Sequence, residues 1–236
     1  MITDFLSNLY CWTVIAAFTI ILGILAVITS FFSANVSRKI AKLWGSLIFK
    51  ACRIKVNVKG IENITHDKSY IITSNHQSYF DIFILLACLN INFRFIAKKS
   101  LFKIPFLGQS MKRLGYIPID RENLRNALKS VKKSTELLKN KTSILIFPEG
   151  TRSLDGSLSS FKKGGLNMFL KQGGMTVLPV VIKGTINILR KNSLTIHPGK
   201  TVELRILKPL DAAAEKGDSN IIIEKIENET RAILEN

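Results

Sequence analysis

The residues best suited to chemistry lie in "NHQSYFD" (Asn75–Asp81), where an apolar run ends and His76 precedes Asp81 by five positions. Residues five apart are rotated by about 140° on a straight helix and do not share a face. The histidine must therefore sit in the turn before a helix, with Asp81 inside that helix and Ser78 as its N-cap. Asp81 can then accept a hydrogen bond from one ring nitrogen of His76. That fixes the tautomer and leaves the other nitrogen as a general base. A histidine that only caps a buried turn is the competing reading for this segment alone. Ser74 and Ser78 are near enough to be nucleophiles, but no G-x-S-x-G elbow occurs, and "GQSMK" (Gly108–Lys112) fails at Lys112. The base is expected to act on a hydroxyl of the substrate.

A second group lies in "LIFPEGTRS" (Leu145–Ser153). Gly150 permits a tight turn and close approach of backbone to a ligand. Arg152 offers a planar fork suited to phosphate. Glu149 is placed to hold that arginine or to bond a substrate hydroxyl, and Thr151 lies between them. Lys98 in "FIAKKSLFKIPFLG" and Arg121 in "GYIPIDRE" add two further cations. With Arg152 they form a set that could bind one phosphomonoester, although each singly reads as a surface charge.

The elements that must position these groups follow a βαβα order. Strands are predicted at Ile54–Val58, Tyr70–Thr73, Phe93–Ala97, Tyr116–Ile119, Ser143–Phe147, Val177–Ile182 and Val202–Ile206. Helices are predicted at Tyr79–Leu89, Pro105–Leu114, Leu124–Lys139, Lys163–Lys171 and Ile221–Leu234. This order predicts an α/β domain over residues 53–236, with a mostly parallel or mixed central sheet flanked by helices. Working groups gather at the carboxyl ends of strands in such sheets. His76, Lys98, Arg121 and Glu149–Arg152 all follow predicted strands.

Residues 1–52 differ in kind. "LYCWTVIAAFTIILGILAVITSFF" (Leu9–Phe32) carries no charge, and a helix needs about 20 residues to cross a hydrocarbon core. It has no basic leader and is too long for the apolar core of a cleaved signal. Arg38, Lys39 and Lys42 after it place the following chain on the cytoplasmic face, of the inner membrane if the cell is bacterial. A second, amphipathic helix is expected at Asn35–Cys52, either lying in the membrane interface or packing its apolar stripe on the domain.

The 236 residues include 34 Lys and Arg against 17 Asp and Glu, a formal net charge of +17. That surplus fits an anionic partner. Nucleic acid is disfavoured, because no zinc-finger spacing or RNP-like motif is present and the basic residues are dispersed. Cys11, Cys52 and Cys88 lack a C-x-x-C and, with three scattered histidines, form no metal-ligand pattern.

The ordered set "NHQSYFD", "KKSLFKIP", "GYIPIDR", "FPEGTR" and "VLPVVIKGT" resembles the glycerolipid acyltransferase superfamily. The nearest type within it is the 1-acyl-sn-glycerol-3-phosphate acyltransferase family. The resemblance runs from about Ile71 to Thr185 without departure at the motif positions. It implies His76 and Asp81 as the catalytic pair. It also implies Lys98, Arg121, Glu149, Gly150, Thr151 and Arg152 as substrate-binding residues. The implied reaction moves a fatty acyl group from acyl-CoA or acyl-carrier protein to the sn-2 hydroxyl of lysophosphatidate. No metal or organic cofactor is called for, since the acyl carrier is a co-substrate. Membrane lipids, an anionic bilayer surface and an acyl-carrier protein are the implied partners. Backbone N–H groups around Asn75–Ser78 are candidates for the thioester oxyanion, and "MTVLPVVIKGT" (Met175–Thr185) reads as an acyl groove or as a buried central strand. Other readings are a different lyso-lipid acceptor such as lyso-ornithine lipid, a membrane thioesterase, and a non-enzymatic basic module on the membrane.

Overall fold

The computed structural model describes residues 2–119, 124–171, 175–212 and 218–235. Its sheet contains β1 (Lys55–Lys59), β2 (Ile71–Ser74), β3 (Phe93–Lys98), β4 (Ile117–Ile119), β5 (Ser143–Ile146), β6 (Thr176–Lys183), β7 (Thr201–Ile206) and β8 (Leu210–Asp211). The strand order is β1-β7-β6-β2-β5-β3-β4, with β8 paired to β6. All pairings are parallel except β6 with β7 and β6 with β8. The expected mixed, mostly parallel sheet is what forms. The seven expected strands appear with ends moved by at most one residue, and the two-residue β8 is an addition.

The central strands are apolar at successive positions because the sheet is covered on both faces. Side chains alternate across a strand, so Ile71, Ile144 and Val177 enter one core while Ile72, Leu145 and Leu178 enter the other. On the first side lie α5 (Leu124–Lys139), α6 (Lys163–Leu170) and α7 (Ser219–Glu235), contributing Val131, Leu166 and Ile223. On the second lies α3 (Phe80–Cys88), contributing Phe80, Ile84 and Leu85. A short helix, α4 (Leu107–Arg113), connects β3 to β4.

Two helices precede the sheet, α1 (Ile2–Ser30) and α2 (Ala34–Ala51). Ser33 caps α2, its hydroxyl accepting from the N–H of Val36. The stretch Phe5–Ser30 is long and apolar enough to cross a membrane; an 18-residue window of it has a mean hydropathy of 2.6 and is 11% buried. It is nevertheless fastened to the domain. The indole N–H of Trp12 donates to the Leu194 carbonyl (2.7 Å), the Ile196 N–H donates to Asn8 (2.8 Å), and the Ser110 hydroxyl donates to the Gly23 carbonyl (2.9 Å). The apolar stripe of α2 packs on α1 and α3, with Trp44 edge-on to Phe83 at 5.0 Å between ring centroids. The packing of its apolar stripe, one of the two expectations for this helix, is present.

Candidate active site

β2, β5, β3 and β4 are consecutive in the sheet, so their carboxyl ends stand side by side. His76 follows β2, Glu149–Arg152 follow β5, and Lys98 ends β3. Arg121, expected beyond β4, lies outside the described residues.

Nδ1 of His76 is 2.8 Å from Oδ2 of Asp81. Asp81 is fully buried in the first turn of α3, and every bond it makes serves the histidine turn. The N–H groups of Gln77 and Ser78 also donate to Oδ2, at 2.7 and 2.8 Å, and the Thr185 hydroxyl donates to Oδ1 at 2.5 Å. Asp81 thus closes the start of α3 in the way an N-cap would, and it takes the proton-bearing nitrogen of His76. Nε2 is left as the acceptor. The imidazole lies flat on Phe147, with centroids 3.9 Å apart and planes 14° apart.

Two expectations change here, the N-cap and the oxyanion donors, while the hydroxyls of the two nearby serines agree with the reading that neither is the nucleophile. Ser78 is not the N-cap, because the helix opens one residue later at Tyr79; its hydroxyl donates to Leu189 and accepts a 3.3 Å bond from the Phe80 N–H. The hydroxyl of Ser74 is likewise buried and donates to the Asn75 carbonyl, so both serine candidates are spent on backbone. The N–H groups of residues 76–78 are not free for an oxyanion, since His76 N–H donates to Glu149 (2.7 Å) and the next two donate to Asp81.

Glu149 differs from its expected role for the same reason. It is 2% exposed and spends both carboxylate oxygens on backbone, with Oε1 accepting from the His76 N–H and Oε2 from the Ser159 N–H at 3.0 Å. Burial pushes its carboxyl up to about 7, while the two N–H donors pull in the opposite direction. The Ser153 N–H donates to the His76 carbonyl at 2.8 Å and fastens the two loops a second time. Asn75 extends the sheet with its side chain, accepting from the Ile182 N–H and donating to the Ile182 carbonyl, both at 2.8 Å. Neither Asn75 nor Thr185 had been given a role from sequence.

His76, Lys98, Gly150, Thr151 and Arg152 line one cleft of about 1020 Å³. That is at the upper end of the roughly 300–1,000 Å³ usual for ligand pockets. Arg152 lies over the Tyr79 ring, its guanidinium carbon 3.8 Å from the centroid. Lys191 donates to the Thr151 hydroxyl at 3.0 Å. Much of the lining is apolar, with Ile15, Leu22, Ile40, Trp44 and Phe83 from α1, α2 and α3 and Met111 from α4. Met175–Thr185 contributes nothing to these walls; β6 is a buried central strand. Sequence reasoning missed α1 and α2 as cleft walls, although their apolar stripes were visible.

A comparison with known proteins finds the acyltransferase family model matching residues 55–183. The chain belongs to the acyltransferase family. It is 40% identical over 172 residues to the chloroplastic 1-acyl-sn-glycerol-3-phosphate acyltransferase of Arabidopsis thaliana, covering 72% of this chain and 48% of that protein. It is 35% identical over 158 residues to the 1-acyl-sn-glycerol-3-phosphate acyltransferase of Borreliella burgdorferi, covering 67% and 62%. The chain thus spans about half to three-fifths of the length of these curated relatives. Among solved structures, the 1-acyl-sn-glycerophosphate acyltransferase PlsC from Thermotoga maritima superposes with a TM-score of 0.85 at 31% identity, covering 99% of this chain and 95% of that one. The matched region of this family member begins at β1 and ends with β6, so it encloses both site loops and excludes α1 and α2.

Proposed function

We infer that the chain transfers a fatty acyl group from an acyl thioester, acyl-CoA or acyl-carrier protein, to the sn-2 hydroxyl of 1-acyl-sn-glycerol 3-phosphate, making phosphatidate. The observation that carries this reading is a histidine held through Nδ1 by a buried carboxylate, in a cleft lined both by cations and by many apolar side chains.

In this reading Nε2 of His76 takes the hydroxyl proton as the oxygen attacks the thioester carbonyl carbon. The C–S bond then breaks, and the imidazolium returns the proton to the departing thiolate. Asp81 holds the ring and stabilises its charged form. Arg152 and Lys98 bind the acceptor phosphate, and Arg121 is assigned to the same task from its place in the sequence. Positioning the acceptor supplies the proximity term. Phe147 keeps the imidazole from turning away from the cleft.

The lipid substrates account for the apolar lining of the cleft. They also account for the uncovered face of α1, where Phe5 and Ile21 are exposed, and for the turn after it, where Phe31 and Phe32 are exposed and Arg113 sits over the Phe31 ring at 4.0 Å. An apolar surface edged by cations matches a bilayer with anionic headgroups. We place the protein on such a membrane, with the catalytic domain on the cytoplasmic face.

Thiol release from palmitoyl-CoA by detergent-purified protein, with and without lysophosphatidate, tests the reading. Release should require lysophosphatidate, yield phosphatidate, and fall about 10²- to 10⁴-fold in His76→Ala. Acyl-carrier protein as donor forms the second arm. Equal release without acceptor would identify a thioesterase, and failure with both donors in folded protein would end the acyltransferase reading.

A further inference from the structure

Lys162 stands just before α6, and its N–H donates to the Pro148 carbonyl at 2.9 Å. Its side chain turns back across the face of Gly150. A β-carbon built on Gly150 would lie 3.1 Å from both Cδ and Cε of Lys162 and 3.2 Å from Nζ. Gly150 also has φ +76°, a conformation that L side chains rarely adopt. The absent side chain of the "FPEGTR" glycine is therefore the space through which this lysine reaches the cleft.

Lys162 lines that cleft together with His76, Thr151 and Arg152. Its approach is fixed on both sides. Gln77 donates to the Gly156 carbonyl at 2.8 Å, and Ser159 N–H donates to Glu149 at 3.0 Å, so the strap from 156 to 162 is tied to the histidine turn. No described carboxylate forms an ion pair with Lys162. It is an exposed cation held at a site where an anion is to be bound.

A phosphate monoester carries about 1.5 to 2 negative charges near neutral pH and three strong acceptor oxygens. Arg152 and Lys98, assigned to this phosphate above, offer one planar fork and one ammonium, and three oxygens with several lone pairs each leave room for a further donor. An ammonium group is a compact charge with three rotatable donors, which complements such a fork. We propose that Lys162 is a phosphate-binding residue of the acceptor site, reaching across Gly150 to the same phosphomonoester that Arg152 grips. This rests on the acyltransferase reading above and adds to it a residue outside the motifs that carry the resemblance.

The test measures binding and rate separately. In a His76→Ala background, which leaves lysophosphatidate unreacted, calorimetric titration compares Lys162, Lys162→Met and Lys162→Arg in detergent. Monoacylglycerol, which lacks the phosphate, is the control ligand. Lys162→Met should weaken lysophosphatidate binding about 10-fold or more and leave monoacylglycerol unchanged, while Lys162→Arg recovers most of the loss. In the His76 enzyme, the same Met change should raise the acceptor KM and largely spare kcat. If His76→Ala protein binds lysophosphatidate and Lys162→Met binds it equally well, the Lys162 assignment is wrong and the acceptor reading stands. Equal weakening of both ligands would make Lys162 a wall of the cleft, and a kcat loss at unchanged KM would move it to the thioester oxyanion; either overturns the proposal. If His76→Ala protein binds no lysophosphatidate at all, the acceptor reading falls and Lys162 falls with it.

Discussion

Thr185 and Asp81, 104 residues apart in the chain, meet in a 2.5 Å hydrogen bond at the back of the histidine turn. Both are fully buried. The hydroxyl occupies Oδ1 and leaves Oδ2 to His76, so it decides which carboxylate oxygen faces the imidazole. Thr185→Val keeps the shape and removes the donor. The expected result is a loss of about 1–3 kcal/mol in stability, as a buried carboxylate oxygen loses its partner. A kcat about 10-fold lower should accompany it, with acceptor KM unchanged, and Thr185→Ser should restore both. Thermal unfolding and steady-state kinetics on the three proteins measure this. Wild-type kcat in the valine variant would show that Asp81 does not need Thr185 to orient His76.

Glu149 supplies a pH dependence with a definite sign. Burial raises its carboxyl from 4.5 to about 7, so the folded protein binds this proton more tightly than the unfolded chain does. The stability it contributes is complete below about pH 4.5 and is lost as pH rises through about 7. The size is on the order of 3 kcal/mol at most. Glu149→Gln removes the titration while keeping one acceptor for the His76 N–H. The difference in unfolding temperature between pH 5 and pH 8 should therefore shift toward the alkaline side in Glu149→Gln relative to wild type. Identical pH profiles would contradict the raised carboxyl.

Much of this architecture was legible because buried parallel strands read as short apolar runs between turn residues. Seven strands could be placed to within one position, whereas β8, at two residues with one half-exposed and one exposed, offered no run to read. The pair His76 and Asp81 was legible because both ends lie in one local turn. Thr185, Asn75 and Gln77 were not, because their partners are 104, 107 and 79 residues away and nothing local encodes such contacts. The partners of Glu149 are hidden for a related reason: its position near Arg152 in the chain leaves an arginine or a substrate hydroxyl as candidates and does not encode the backbone N–H groups of His76 and Ser159 that it bonds. The cleft walls were missed because they arise from α1 and α2 docking on α3, a packing event with no motif.

That docking depends on one glycine. A β-carbon on Gly45 of α2 would lie 2.4 Å from the Phe83 carbonyl oxygen of α3, too close for either backbone to stay in place. Gly45→Ala should force the helices apart at the point where Trp44 and Phe83 form the cleft wall. Overpacking of this kind costs about 1–3 kcal/mol. The variant should unfold several degrees below wild type and release thiol more slowly. Gly164→Ala in α6 is the control, since nothing lies within 4 Å of its β-carbon and alanine favours a helix by about 1 kcal/mol. Unfolding temperatures that fall equally in both variants would refute the close-contact argument.

Tyr79 lies between His76 and Asp81, is 45% exposed, and carries the Arg152 guanidinium on its ring. Cation–π contact of a partly exposed pair is worth about 0.5–1 kcal/mol. It holds the planar fork over the cleft and so lowers the cost of ordering a long side chain around the phosphate. Tyr79→Phe retains the ring and should behave as wild type. Tyr79→Ala frees Arg152 and should raise the acceptor KM about 3-fold, while kcat at saturating acceptor and the donor KM stay near wild type. The split distinguishes positioning of Arg152 from damage to the histidine turn, which would lower kcat. Phenylalanine performing as poorly as alanine would assign the effect to the phenol hydroxyl and remove the cation–π explanation.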